Sequence, residues 1–312
     1  MTDLMNLQGG EIILGSQPNA TGRFGSYFMC DEHTEADNVE FLKNAISRRT
    51  FGAATAAAGA MLVLPRAANA MAVKGRDVTI KTADGTCDAY FVAPASGKHP
   101  AVLVWPDIFG LRPAFRQMAE RLAESGYAVL TVNPFYRSMK APELAAAGDR
   151  AAMFAKAAEA RKLLTPEVVI TDATAFVAFI DAQPEVNKKR GVGTTGYCMG
   201  GPLVMQTAAA VPSRIRAGGT FHGGGLAAEP ILALVPKMKA SFLIAIAEND
   251  DAKAPDDKVK VKAALDAAGR PAEVEVYKGT QHGWCPPDSP VYDQAQADRA
   301  WERLLVLLGK AL

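Results

Sequence analysis

The stretch GVGTTGYCMGG, from Gly191 to Gly201, decides the fold, and it matches two different glycine patterns. Its first three glycines match G-x-G-x-x-G, the phosphate-binding turn of dinucleotide-binding proteins. Gly196, Cys198 and Gly200 match G-x-nucleophile-x-G, a sharp turn between a strand and a helix that presents a catalytic side chain. The sequence on either side of the stretch distinguishes the two patterns.

The flanking sequence favours the nucleophile turn. A dinucleotide site needs a strand before the first glycine, a helix after the third, and an acid about 20 residues later. Here the charged segment QPEVNKKR precedes the glycines, and SRIRAGG stands where the acid should be. A strand, a short turn and a helix instead surround Cys198, and the positive end of that helix would favour its thiolate. The alternative for Cys198 is a buried structural cysteine.

Composition limits the function classes. The chain has 312 residues, 49% of them hydrophobic, and a net charge of +1, which fits one large globular domain or two small ones. The balanced charge gives no reason to expect nucleic-acid binding. The cysteines and histidines are scattered without metal-ligand spacing, so we expect neither a metal nor a cofactor.

The first 70 residues differ from the rest. Residues 1–46 are polar and aperiodic, and we expect a disordered extension. Residues 47–70 begin with the arginine pair of SRRTF, continue with a weakly apolar run and end in Ala68-Asn69-Ala70. This layout resembles a twin-arginine export signal, and the run is shorter than the about 20 residues of a membrane span. The alternative is an ordinary amphipathic helix that begins at Ser47.

The signal interpretation predicts a periplasmic protein, cleaved near Ala70, with no stable membrane anchor afterwards. The export machinery would be a partner of the precursor only. The 46 residues before Ser47 are long for a signal, so either the true start lies after Met1 or the tail is genuine.

The remaining residues, 71–312, alternate between strand and helix patterns and form the predicted catalytic domain. A hairpin is predicted around Asp84-Gly85, and apolar runs such as PAVLVW predict strands that are buried on both faces. Helices are predicted over 113–125, 142–164 and 166–182, among others. This alternation predicts an α/β fold with a mostly parallel central sheet flanked by helices on both faces. Functional residues should then lie at the carboxyl ends of the strands.

A thiol nucleophile needs a base, and the base needs an orienting acid. His282 follows the last predicted strand and completes the chain order nucleophile, acid, histidine. The acid should follow a strand between them, where AENDD supplies Asp250 and Asp251. Asp250 is preferred, because it lies three residues past the end of that strand, and Asp251 is the alternative.

Six stretches, WPDIFGL, NPFYR, GYCMGG, FHGGGL, AENDD and QHGW, occur in the order seen in the dienelactone hydrolase (carboxymethylenebutenolidase) family. The chain resembles this family from about Val73 to Leu312. The resemblance implies an α/β-hydrolase fold and a triad in which Cys198 is the nucleophile, His282 the base and Asp250 the orienting acid.

Other site positions follow from the resemblance. Asp107 stands where the family usually has a glutamate that contacts the resting thiol. The backbone N–H groups of Ile108 and Met199 would form the oxyanion hole. Arg137 matches an arginine that binds the substrate carboxylate. The family's second such arginine has no counterpart, because WCP occupies residues 284–286.

The sequence thus predicts a hydrolase that cleaves ester or enol-lactone bonds of small molecules through a thioester intermediate. Two other classes stay open. One is an exported thiol redox or sensing protein in which Cys198 pairs with Cys285. The other is a non-catalytic binding protein, because a fold alone does not establish activity.

Overall fold

The computed structural model describes residues 32–49, 64 and 70–312. These residues form an eight-stranded sheet and the helices that surround it. The strands are β1 (Val73–Thr82), β2 (Gly85–Pro94), β3 (Ala101–Trp105), β4 (Ala128–Val132), β5 (Val192–Tyr197), β6 (Ile215–Phe221), β7 (Ser241–Ala247) and β8 (Ala272–Tyr277). The helices are α1 (Glu32–Arg49), α2 (Pro113–Glu124), α3 (Ala141–Ala145), α4 (Arg150–Arg161), α5 (Pro166–Ala182), α6 (Gly200–Ala210), α7 (Glu229–Leu232), α8 (Glu248–Lys253), α9 (Asp257–Ala267) and α10 (Gln294–Ala311), with one 3₁₀ turn at Val235–Lys237.

The sheet has the order β1-β2-β4-β3-β5-β6-β7-β8. The strands β1 and β2 form the predicted antiparallel hairpin, closed at the pair Thr82 and Gly85. From β4 to β8 all neighbours are parallel, so their carboxyl ends lie along one edge. The predicted α/β-hydrolase fold, with a mostly parallel sheet, is confirmed.

Burial explains why the central strands are uniformly apolar. Every residue of β3 and β4 is buried, because helices cover both faces of the sheet. One apolar cluster packs α5 and α6 on one face, and a second packs α2 and α10 on the other. The loops after the strands are therefore held on a rigid scaffold.

The predicted helix over 142–164 is wrong as one continuous element. The structure has α3 and α4 instead, separated by Gly148 at φ +119°, a conformation that a helix interior does not allow. The Asp149 side chain then accepts a 2.9 Å hydrogen bond from the N–H of Ala152 and caps α4. The high helix propensity of the alanine-rich sequence led to the wrong prediction, although Gly148 and Asp149 specify a turn.

The N-terminal region departs from the expected disorder where the structure describes it. Helix α1 occupies Glu32–Arg49 and includes the arginine pair of the predicted export signal. Most of the polar extension, and the signal segment apart from residues 47–49, 64 and 70, lie outside the described residues. Among the described residues no single helix is long and apolar enough to cross a membrane. Only α4 and α5 taken together have the required length and hydropathy, and the angle between them is 94°.

Candidate active site

The turn after β5 holds Cys198 in a left-handed backbone conformation, with φ +53°. A side chain on Gly196 would place its Cβ 2.1 Å from the Gly200 carbonyl oxygen, and one on Gly200 would lie 2.5 Å from the Trp105 carbonyl oxygen. Both positions therefore require glycine. Strain at a non-glycine residue persists only where the surrounding structure enforces it, and it is concentrated at functional sites. The predicted nucleophile turn thus has its expected geometry.

A buried imidazole–carboxylate pair lies at the same edge of the sheet. The Nδ1 atom of His282 lies 2.8 Å from Oδ2 of Asp250, and both side chains are buried. Asp250 reaches this position because it lies in α8, directly after β7. The alternative acid, Asp251, pairs with Lys258 at 2.6 Å instead. The structure therefore places Asp250 against the histidine.

Cys198 is disulfide-bonded. Cys87 and Cys285 are both free and buried, so neither is its partner, and the pairing of Cys198 with Cys285 considered from the sequence is wrong. Burial among apolar side chains raises the pKa of the Cys285 thiol well above its usual value, as expected for an inert structural cysteine. Cys30 lies outside the described residues. The structure thus shows the nucleophile position in its oxidised form.

Cys198 and His282 line one cavity, which has a volume of about 30 Å³. Asp107 and Ile108 from the loop after β3 also line it. The remaining lining residues come from α1, from the loop that leads into α2, from α4, and from the loops after β6 and β8: Thr34, Asn38, Phe109, Arg112, Arg150, Phe154, His222, Gly283 and Ser289. The predicted nucleophile, base and acid therefore meet at one site.

The Asp107 carboxylate is paired with the guanidinium of Arg112. Arg112 donates to Asp107 at 2.6 and 3.0 Å and also pairs with Asp288 at 2.6 Å. The N–H of Phe109 donates to the same carboxylate at 2.9 Å. Asp107 thus lies in the cavity as the resemblance implied, but its carboxylate is paired with Arg112, a residue outside the matched motifs.

The two proposed oxyanion donors, Ile108 and Met199, are buried in one cluster with Cys198. The loop after β3 and the nucleophile turn approach closely at Gly200, which explains how their backbones come together. Met199 precedes α6, so its N–H belongs to the positive end of that helix. Their placement is compatible with an oxyanion hole.

Arg137 is not among the described residues that line this cavity. Its guanidinium makes two hydrogen bonds to the buried carboxylate of Asp172, at 2.7 and 2.8 Å, and pairs with Asp84 at 2.6 Å. The Tyr136 hydroxyl also donates to Asp172, at 2.7 Å. The substrate-binding role expected for Arg137 is therefore corrected: it links α5 to the hairpin turn.

The cationic side chains that do line the cavity are Arg112 and Arg150. Arg150 lies at the start of α4 with its guanidinium 4.0 Å from the centre of the Phe109 ring. Neither arginine belongs to a motif, so no local sequence signal identified them. His222 lines the cavity too, and FHGGGL was the one signal that could have marked it.

Comparison with known proteins shows the family to which the chain belongs. The dienelactone hydrolase family matches residues 87–312. A carboxymethylenebutenolidase from Pseudomonas putida is 27% identical over 236 residues, covering 74% of this chain and 95% of the relative. A second, from Rhodococcus opacus, is 26% identical over 228 residues, covering 70% and 83%.

A solved structure supports the fold. The dienelactone hydrolase-like promiscuous phosphotriesterase P91 from metagenomic libraries aligns with a TM-score of 0.65 at 22% identity, covering 77% of this chain and 99% of that one. With the family match over most of the chain, these similarities identify the protein as a dienelactone hydrolase-like hydrolase, and the chain belongs to the dienelactone hydrolase family.

Proposed function

We propose that the protein hydrolyses ester or enol-lactone bonds of small molecules through a triad of Cys198, His282 and Asp250. The observation that supports this most is the buried 2.8 Å pair between His282 and Asp250, because His282 lines the same cavity as the strained Cys198. Relatives named carboxymethylenebutenolidase support the same class of substrate.

The reaction requires the reduced thiol. The N-terminus of α6 and the neighbouring imidazole favour the Cys198 thiolate, which attacks the substrate carbonyl. The N–H groups of Ile108 and Met199 stabilise the oxyanion that develops. The alcohol or enol then leaves with a proton from His282, and a thioester forms. Water activated by His282 attacks the thioester, releases the acid and returns the proton to the thiol.

Asp250 orients His282 in this mechanism. Its carboxylate accepts a hydrogen bond from Nδ1–H and leaves Nε2 as the basic nitrogen. Its negative charge also stabilises the imidazolium that forms in each step.

Replacing Asp250 by asparagine tests this role, because the amide has nearly the same shape but carries no charge. We expect kcat for a p-nitrophenyl ester to fall on the order of 10³-fold. The matched control is Asp251→Asn, which removes the neighbouring carboxylate that pairs with Lys258 and should change kcat less than twofold. Equal losses in both variants would contradict the assignment.

We also propose that the protein is exported, with cleavage near Ala70. Ala70 and Met71 are exposed and precede β1, so a peptidase could reach them. Cell fractionation followed by N-terminal sequencing tests this: a periplasmic chain that begins near Met71 is expected, and an uncleaved cytoplasmic chain contradicts it.

A redox or sensing role is the second candidate, and the disulfide at Cys198 favours it. The two roles differ in what the reduced protein does. A hydrolase turns over ester once Cys198 is reduced, whereas a sensor of this kind does not.

A further inference from the structure

A second imidazole, His222, lies in the candidate active site and takes no part in the triad. It directly follows β6, and its backbone has φ +42°. Its ring centre is 5.0 Å from that of His282 and 5.2 Å from that of Trp284, edge-to-face in both cases. The side chain is 1% exposed. His222 thus occupies a strained position beside the proposed base.

The loop that carries His222 is pinned to the nucleophile turn. A Cβ on Gly201 would lie 2.7 Å from the Cα of Gly223, so these two segments are in direct backbone contact. The N–H of His222 donates to the Ala245 carbonyl at 2.8 Å and fixes the other side. The imidazole is therefore held next to the turn on which an acyl group would be bonded to Cys198.

Both ring nitrogens of His222 are buried without a hydrogen-bond partner among the described residues. Burial and the neighbouring His282 lower the pKa of His222 well below its usual value, so the ring stays neutral at ordinary pH. A neutral imidazole has one N–H donor and one lone-pair acceptor. Buried polar groups normally have partners, and the cavity that His222 lines is where a substrate would supply one.

We infer that His222 is a specificity-determining residue that hydrogen-bonds an oxygen on the acyl part of the substrate, beside the scissile carbonyl. The inference rests on the proposed ester hydrolysis. The acyl group is the relevant part, because it stays bonded to Cys198 after the alcohol has left. The enzyme should therefore favour oxygen-bearing acyl groups over hydrocarbon ones of the same size.

The test compares p-nitrophenyl methoxyacetate with p-nitrophenyl butyrate, whose acyl chains differ by one oxygen in place of one methylene. We expect His222→Phe to lower the ratio of their kcat/KM values by about five- to tenfold, the effect of one lost hydrogen bond. His222→Asn, which keeps a donor and an acceptor and tolerates positive φ, should restore part of the ratio.

Trp284→Phe is the control for packing, because the Trp284 ring contacts His222 and its replacement leaves the imidazole in place. It should leave the ratio unchanged. An unchanged ratio in His222→Phe, with both esters still hydrolysed, would overturn the role of His222. Failure of the reduced wild-type protein to hydrolyse either ester would instead refute the proposed function.

A different observation supports a second inference, about α1. This helix lies over the cavity mouth: Thr34 and Asn38 line the cavity and are buried. The Asn38 amide donates to the His282 carbonyl oxygen at 3.2 Å. One residue earlier, Asp37 pairs with Lys253 of α8. The helix therefore contacts both segments that supply the proposed base and its acid.

The space left under α1 is small compared with an ester substrate. The cavity volume of about 30 Å³ corresponds to about two water molecules. A p-nitrophenyl ester or a lactone with a carboxylate needs far more room. With α1 in place, access of such a substrate to the cavity is restricted.

We propose that α1 is an autoinhibitory cover of the precursor, and that cleavage near Ala70 opens the site. The cleavage point predicted from the sequence lies after α1, so processing would remove the cover. All eight strands begin after this point and remain in the processed chain. The precursor would thus be a less active hydrolase than the processed chain.

In the test variant, residues 65–69 are replaced with the recognition sequence of a specific protease. The reduced full chain is assayed before cutting, and again after the N-terminal fragment has been removed by chromatography. We expect kcat/KM for p-nitrophenyl butyrate to rise at least tenfold. In the uncut chain, Asp37→Ala combined with Asn38→Ala should produce part of that rise. Val39→Ala is the control, because Val39 is on the same helix but 48% exposed.

Equal activity before and after cutting would overturn this proposal while leaving the proposed hydrolysis intact. No activity in either form, with Cys198 reduced, would refute the hydrolase itself.

Discussion

Replacing Cys198 by alanine is expected to reduce ester hydrolysis by at least about 10⁴-fold, because the sulfur is the only atom proposed to form a bond to the substrate. The neighbouring groups are paired with other residues: His282 contacts Asp250, and Asp107 contacts Arg112. The measurement is kcat for p-nitrophenyl butyrate with the reduced protein. Stability should change little relative to the reduced wild-type protein, in which the Cys198 disulfide is already open.

Cys198→Ser tests whether a hydroxyl can replace the thiol as nucleophile. The serine hydroxyl is far less ionised than a thiol, so a small residual rate is expected. Cys285→Ser is the matched control, because Cys285 is a buried free cysteine in the apolar cluster behind the site, and its loss should leave kcat within about threefold. Retained activity in Cys198→Ala would refute the mechanism.

Reduction of the Cys198 disulfide is expected to switch hydrolysis on. A sulfur in a disulfide has no thiolate to attack a carbonyl, so the oxidised protein should have at most a few per cent of the reduced activity. A dithiol such as dithiothreitol transfers two electrons to the disulfide, releases both cysteine thiols and is itself oxidised to a cyclic disulfide. The measurement is ester hydrolysis before and after this treatment.

Alkylation of free thiols followed by peptide mass spectrometry provides the control. The Cys198 peptide should be labelled only after reduction, whereas Cys87 and Cys285 should be labelled in the unfolded protein either way. A Cys30→Ser variant that is active without reductant would identify Cys30 as the partner. Full activity of unreduced wild-type protein, with Cys198 unlabelled, would contradict the requirement for a free thiol.

Much of the fold was predictable because its causes are local. Strands β3 and β4 are short apolar runs since both of their faces are buried. The nucleophile turn was predictable from Gly196 and Gly200, because each approaches backbone too closely to tolerate a side chain. The break between α3 and α4 was missed because helical propensity over an alanine-rich stretch outweighed the signal of Gly148.

The site residues that could be predicted are those whose position follows from the order of the strands along the chain. Asp250 and His282 follow strands of a parallel sheet, so their meeting at one edge follows from topology. Arg137 was misplaced because its partner Asp172 lies in a distant helix, and no local pattern reveals that pair. The contact between α1 and the site is likewise tertiary, and the polar sequence of α1 gives no indication of it.

The most direct test of the central claim is to trap the acyl-enzyme. Reduced protein is mixed with p-nitrophenyl butyrate, quenched in acid within the first turnover, digested and examined by mass spectrometry. We predict a butyryl group on the peptide that contains Cys198, with more of it retained in Asp250→Asn and none in Cys198→Ala. Rapid release of p-nitrophenol without any acyl group on Cys198, or with the group on another residue, would contradict the account.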